Sequence, residues 1–142
     1  MDSEQLNSAI DDLASGIGVL VRRMRRASSS HELSLTQRAV LGRLARHGPM
    51  TTSDLARAEG MKPQSMGATV ANLEETGLVS RIPHPTDGRQ MNIIATERGM
   101  QVNDQMRRER RTWLLEAVSD LTEPEREILF EAAGIIKRLG AQ

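Results

Sequence analysis

The sequence contains no cysteine. Disulfides, zinc–thiolate sites and thiol redox sensing are excluded, and an intracellular, cytoplasmic location is the expectation. Aromatic side chains are nearly absent, with Trp113 and Phe130 the only two. Any core must be built from Leu, Ile, Val, Ala and Met, which fits a long-helical chain that completes its core with a second copy of itself. No apolar run approaches the roughly eighteen residues that a membrane span needs. The N-terminus carries acids where a secretory leader would carry basic residues, and no cleavage pattern follows. Net charge of one sign is missing too, since 19 Lys and Arg balance 19 Asp and Glu. A protein that coats nucleic acid regardless of sequence would be strongly basic. Any such contact must therefore rest on placement, and residues 31–95 hold seven basic against six acidic groups.

What is present is mostly helical periodicity. Leu6, Ile10, Leu13, Ile17, Leu20 and Met24 recur in steps of three and four, predicting one apolar face along residues 3–26. That stretch ends in Arg22, Arg23, Arg25 and Arg26, which complement a helix C-terminus. A second helix is predicted from Leu35-Thr36, with Thr36 as N-cap and Val40, Leu41 and Leu44 inside. Thr51-Thr52-Ser53-Asp54 reads as a capping box for a short helix that stops at Glu59-Gly60. Lys62-Pro63 opens the next, which buries Met66, Val70 and Leu73 and ends at Thr76-Gly77. The period then becomes extended. Leu78–Ile82 and Met91–Ala95 predict two strands joined by the turn-rich Pro83–Gly88. Thr96 caps a long helix with Met100, Met106, Trp113, Leu114 and Ala117 on its interior face. Thr122-Glu123-Pro124-Glu125 starts a last helix carrying Ile128, Leu129, Ala132, Ile135, Ile136 and Leu139.

Helix, short turn, helix and hairpin over residues 51–95 spell a winged helix-turn-helix. In that arrangement the second helix enters the major groove with its early residues at base edges. The candidate reading residues are Lys62, Pro63, Gln64, Ser65, Gly67, Ala68, Thr69 and Asn72. Gln bonds adenine in bidentate fashion, Ser is permissive, and Gly and Ala let the backbone approach. On the hairpin, Arg81, His84, Thr86, Asp87, Gly88 and Arg89 are the candidates, with Arg89 suited to the narrow, negative minor groove. Asp87 is placed to orient it through a salt bridge. Hydroxyls at helix starts, on Thr36, Thr51 and Ser53, are expected phosphate contacts.

The ordered set Leu35-Thr36 with Val40-Leu41, Thr51-x-x-Asp54-Leu55-Ala56, Leu73-Glu74-x-x-Gly77-Leu78-Val79, Asp87-x-Arg89 and Thr96-x-x-Gly99 resembles the multiple-antibiotic-resistance regulator (MarR) family. The resemblance covers nearly the whole chain. It implies a mainly α fold with a small β wing. It also implies a homodimer whose first and last helices interlock, and release from DNA by a small anionic or phenolic effector. The family's wing-tip Asp and Arg correspond to Asp87 and Arg89, and its recognition positions to Gln64, Ser65 and Ala68. Many members carry a basic residue where Ala68 stands. The implied organisation is a dimerisation helix at 1–30, a winged helix-turn-helix at 31–95 and dimerisation helices at 96–142.

The expected function is a homodimeric, sequence-specific regulator, a repressor released from pseudo-palindromic double-stranded DNA. The effector pocket is expected where the first helix, the helix from Leu35-Thr36 and the Thr96 helix meet. The alternative is a winged-helix module that binds another protein, which the near-neutral charge would also fit. An enzyme ranks last, because no acid, base and nucleophile converge. His31, His47 and His84 lack metal-ligand spacing, so no metal or cofactor is expected. Arg107–Arg111 reads as a solvated face.

Overall fold

The computed structural model describes all 142 residues. Six helices, α1 (Ser3–Ala27), α2 (Leu35–His47), α3 (Thr52–Glu59), α4 (Pro63–Glu75), α5 (Glu97–Ser119) and α6 (Glu123–Gly140), accompany three strands. The strands are β1 (Met50–Thr51), β2 (Val79–Pro83) and β3 (Met91–Ala95), in the antiparallel order β1-β3-β2. Val79 faces Ala95 and Pro83 faces Met91, so the hairpin projects past the sheet through residues 84–90. None of the helices is long and apolar enough to cross a membrane.

Helix starts follow local chemistry. Asp2 and Gln5 make a reciprocal capping box for α1, and Thr122 and Glu125 make one for α6. The cap of α2 is Ser34, not Thr36 as the sequence predicted. Ser34 accepts the Gln37 N–H at 3.1 Å while the Gln37 side chain accepts the Ser34 N–H at 2.8 Å. That pair satisfies two otherwise orphaned N–H groups, whereas a cap at Thr36 has no such residue three positions on. Replacing Ser34 by alanine is expected to lower stability by about 1 kcal/mol, read as a smaller urea midpoint with unchanged slope.

Thr51 caps α3 through the Asp54 N–H at 3.1 Å. The expected box is half made, because the Asp54 carboxylate turns to Arg57 at 3.3 Å. Thr51 also belongs to β1, opposite Asn92. A two-residue strand has no period to read, and β1 was not anticipated.

The core joins α2, α3, α4, the hairpin and α5. Leu41, Leu55, Met66, Leu73, Ile93, Val40, Val70 and Val79 are fully buried. From α5 come Val102 and Met106, with Gly99 and Asn103 beside them. Met100, predicted inside, is 39% exposed. The reason is Gly99: a Cβ there would collide with the Leu78 carbonyl, so this glycine lets the first turn of α5 rest on the base of the hairpin. The inward stripe is thereby set at 99, 102, 103 and 106, and Met100 lies one step round the helix. Trp113, Leu114 and Ala117 are half-buried.

The flanking helices differ from this core. Neither α1 nor α6 has a buried residue. Leu6, Ile10, Leu13, Ile17 and Leu20 on α1 stay exposed, as do Ile128, Leu129, Phe130, Ile135, Ile136 and Leu139 on α6.

Candidate nucleic-acid interface

The turn from α3 to α4 is Gly60-Met61-Lys62, and Gly60 takes the left-handed conformation at φ +64°. Pro63 at the first helical position fits a site whose N–H would be orphaned anyway. Lys62 caps α4 without a side-chain hydrogen bond, and its first turn holds no acid. The N-terminal N–H groups and the positive end of the helix dipole are left open there.

Burial of Met66, Val70 and Leu73 fixes the outward face of α4. Lys62, Pro63, Gln64, Ser65, Ala68 and Asn72 are exposed, while Gly67 and Thr69 are half-buried. A Cβ at Gly67 would meet nothing within 4 Å, so the protein's own packing does not require glycine there. Two of the predicted reading residues are already engaged. The Thr69 hydroxyl donates to the Ser65 carbonyl at 3.2 Å. The Asn72 Oδ1 accepts from the Gln37 side chain at 2.8 Å, tying α4 to α2. Of the hydroxyls predicted to meet phosphate, Ser53 is exposed and Thr36 half-buried. Thr51 corrects the prediction, since it is buried and its oxygen serves the α3 cap.

The hairpin tip is folded by two side chains. His84 Nδ1 accepts the N–H groups of Thr86 at 3.2 Å and Asp87 at 3.1 Å. An accepting Nδ1 requires the neutral tautomer with its proton on Nε2. Asp87 Oδ1 accepts the Arg89 N–H at 3.1 Å and lies 3.6 Å from Arg89 Nε. Its other oxygen accepts from the Gln90 side chain at 3.3 Å. The predicted Asp87–Arg89 pairing is present, and the Arg89 side chain is 94% exposed. Thr86 and Gly88 are exposed beside it. His84, predicted as a contact residue, has a further role in folding the turn that was not predicted from the sequence. The signal was the spacing of an imidazole two and three residues before N–H groups in a proline-rich turn. Arg81 also differs from expectation, because it is paired with Glu74 at 3.2 Å and ties β2 to α4.

A second feature lies away from this surface. A cavity of about 420 Å³ opens among α1, α2 and α5, where the effector pocket was expected. Arg43, half-buried on its wall, holds Glu59 at the end of α3 at 2.9 Å. No group of three or more His, Asp or Glu converges anywhere as a metal site would require.

A family model described as the MarR family matches residues 31–90. HTH-type transcriptional regulators of Mycobacterium tuberculosis and Mycobacterium bovis are each 38% identical over 128 residues, 90% of either chain. This chain belongs to the MarR family. As a MarR-family HTH-type regulator it sits among transcriptional regulators rather than enzymes. The crystal structure of Rv1404 from Mycobacterium tuberculosis has a TM-score of 0.88 at 27% identity, covering 100% of this MarR-family chain and 97% of that one. Streptococcus pneumoniae FabT, crystallised in complex with DNA, shares the fold with a TM-score of 0.74 at 15% identity, over 97% and 96% of the two chains.

Proposed function

We propose that this MarR-family chain acts as a homodimeric repressor that binds a pseudo-palindromic operator and leaves it when a small ligand binds. The observation that carries the DNA-binding part is the wing tip. An arginine stands 94% exposed on a loop that His84 and Asp87 hold folded, one strand after the helix α4 with its open face. The FabT complex with DNA supports the same use of the same fold.

In this reading residues 31–95 contact DNA. Gln64, Ser65 and Ala68 meet base edges in the major groove, and Gly67 leaves room for close approach. Lys62, Pro63 and the open N-terminus of α4 face phosphate, joined by Thr36 and Ser53. Arg89, flanked by Thr86 and Gly88, enters the minor groove. Thr69 and Asn72 flank the reading face, and Arg81 holds the wing to α4.

Residues 1–30 and 96–142 form the dimer interface. The support is the apolar face left open on α1 and α6, from Leu6 to Leu20 and from Ile128 to Leu139. Exposed patches of that kind mark interaction surfaces. A two-fold axis then sets two α4 helices about one DNA turn apart, roughly 34 Å. Light scattering at micromolar concentration is expected to give a dimer, and a monomer would remove this part of the account.

Ligand response is assigned to the cavity among α1, α2 and α5. Its wall residue Arg43 bonds Glu59 of α3, so occupancy there reaches the helix-turn-helix through one half-buried ion pair. A ligand acts by favouring one spacing of the two DNA-reading units.

The experiment is a gel shift with the DNA upstream of the protein's own gene, at moderate salt, for the wild type, His84→Ala, Arg89→Ala and the double variant. His84→Ala is expected to weaken binding several-fold alone and to cost little in the Arg89→Ala background, because its effect passes through the placement of Arg89. Such coupling is what a double-mutant cycle isolates. Fully additive losses would give His84 a separate contact.

A further inference from the structure

The cavity among α1, α2 and α5 has an unusual charge balance. Six arginines line it, Arg25, Arg38, Arg43, Arg46, Arg107 and Arg110, against one carboxylate, Glu59. Glu59 is already committed, taking Arg43 Nε at 3.1 Å and Nη2 at 2.9 Å. Arg38 is held by neutral groups only, the Leu33 carbonyl at 3.2 Å and the Ser28 hydroxyl and carbonyl at 2.7 and 2.8 Å. Arg25, Arg46, Arg107 and Arg110 make none of the chain's ion pairs, which join Arg43, Arg57, Arg81, Arg89 and Arg126 to acids. Five guanidinium groups around one cavity therefore make no ion pair.

Two of the five, Arg38 and Arg110, are held below the usual arginine range, first by burial and then by neighbouring arginines. After burial, the charge of Arg25 acts most on Arg38, with Glu109 opposing. After burial, Arg107 and then Arg46 act most on Arg110. Gathering like charges in a partly desolvated space is unfavourable until an anion neutralises them. The apolar part of the lining is aliphatic or thioether, Val21, Met24, Leu35, Ala39 and Met106. Neither Trp113 nor Phe130 reaches it, so an aromatic ligand has no ring to stack on.

We infer that this cavity binds a compact, multiply charged anion, of the polycarboxylate or phosphate type, rather than a phenolic monoanion. The inference rests on the reading of the cavity as the effector site. Arginine suits this chemistry because its planar fork makes paired, charge-assisted hydrogen bonds to carboxylate and phosphate oxygens. One negative charge would leave most of the cluster unmatched. Two or three on a small framework match it.

Calorimetry on the full chain, without DNA and at constant ionic strength, tests this with citrate, pyrophosphate and 4-hydroxybenzoate. Citrate and pyrophosphate are expected to bind at least about ten-fold tighter than 4-hydroxybenzoate, on the scale of one strong charge-assisted contact. Arg46→Gln and Arg110→Gln, neither in an ion pair, are each expected to weaken citrate binding by roughly ten-fold. Arg108→Gln, outside the cavity, should bind citrate as the wild type does. If 4-hydroxybenzoate binds as tightly as citrate and with the same sensitivity to Arg46→Gln and Arg110→Gln, the charge argument is overturned while the effector site stands. If none of the three binds, or the two variants match the wild type, the arginines are neutralised in another way and the inference is overturned. Gel shifts with the same compounds separate the two readings. Citrate that binds but leaves DNA affinity unchanged supports the ligand class and removes the effector role.

Discussion

Replacing Arg89 by alanine is expected to cost about 1–3 kcal/mol for each wing, the scale for one well-placed arginine contact. The two-fold symmetry of the proposed dimer doubles this to about 2–6 kcal/mol per operator. Affinity should fall by between roughly thirty-fold and roughly ten-thousand-fold, since each 1.4 kcal/mol is tenfold. The size of the effect follows from the charge balance. The winged region has seven basic and six acidic groups, so general attraction to phosphate contributes little. In the proposed binding mode a few placed cations carry the affinity, and Arg89 is held out 94% exposed on a loop that His84 and Asp87 fold. Stability should not change, because surface substitutions away from packed groups stay within about 0.5 kcal/mol. Fluorescence anisotropy with operator DNA, alongside thermal melting, checks both halves. Unchanged affinity would take the wing out of the mechanism.

The second large effect is on stability. Gly99→Ala is expected to lower it by about 2–3 kcal/mol, toward the upper end for overpacked sites. A Cβ there would strike the Leu78 carbonyl oxygen and lie 3.2 Å from Leu41 Cδ1. The obstacle is backbone, and that same carbonyl accepts the Thr96 N–H at 3.1 Å at the start of α5. Neither group can turn aside without shifting the joint between the hairpin and α5. Helix propensity alone predicts the opposite sign, since alanine is favoured over glycine inside a helix by about 1 kcal/mol. Gly67→Ala, in α4, supplies the control. With nothing within 4 Å of its Cβ, it should stabilise the DNA-free protein by up to about 1 kcal/mol. Urea unfolding of both variants should show midpoints moving in opposite directions. A stabilised Gly99→Ala would mean that the close approach at Leu78 is not maintained.

Features that depend on near neighbours were legible in the sequence. The apolar period over residues 3–26 delivers α1, the Thr96 cap delivers the start of α5, and the span of β3 is as predicted. Asp87 and Arg89 could be paired because they are two residues apart. What escaped depends on distant partners. Asn72 meets Gln37, 35 positions away, and Arg81 meets Glu74 across an element boundary. Thr51 looked like an open hydroxyl until β1 buried it. The arginines of the cavity come from α1, α2 and α5 and carry no common local pattern. Arg107 and Arg110 read in isolation as a solvated face, and their meaning arises only when the helices pack.

Placed contacts on a symmetric pair of winged modules are proposed to read a DNA sequence. Selection of bound DNA from a random pool, followed by affinity measurement at physiological salt, tests it most directly. An enriched pseudo-palindrome with half-sites centred about ten base pairs apart is expected. Affinity for that DNA should be at least about a thousand-fold above that for scrambled sequence. A pool that enriches no motif, or equal affinity for selected and scrambled DNA, would contradict that proposal.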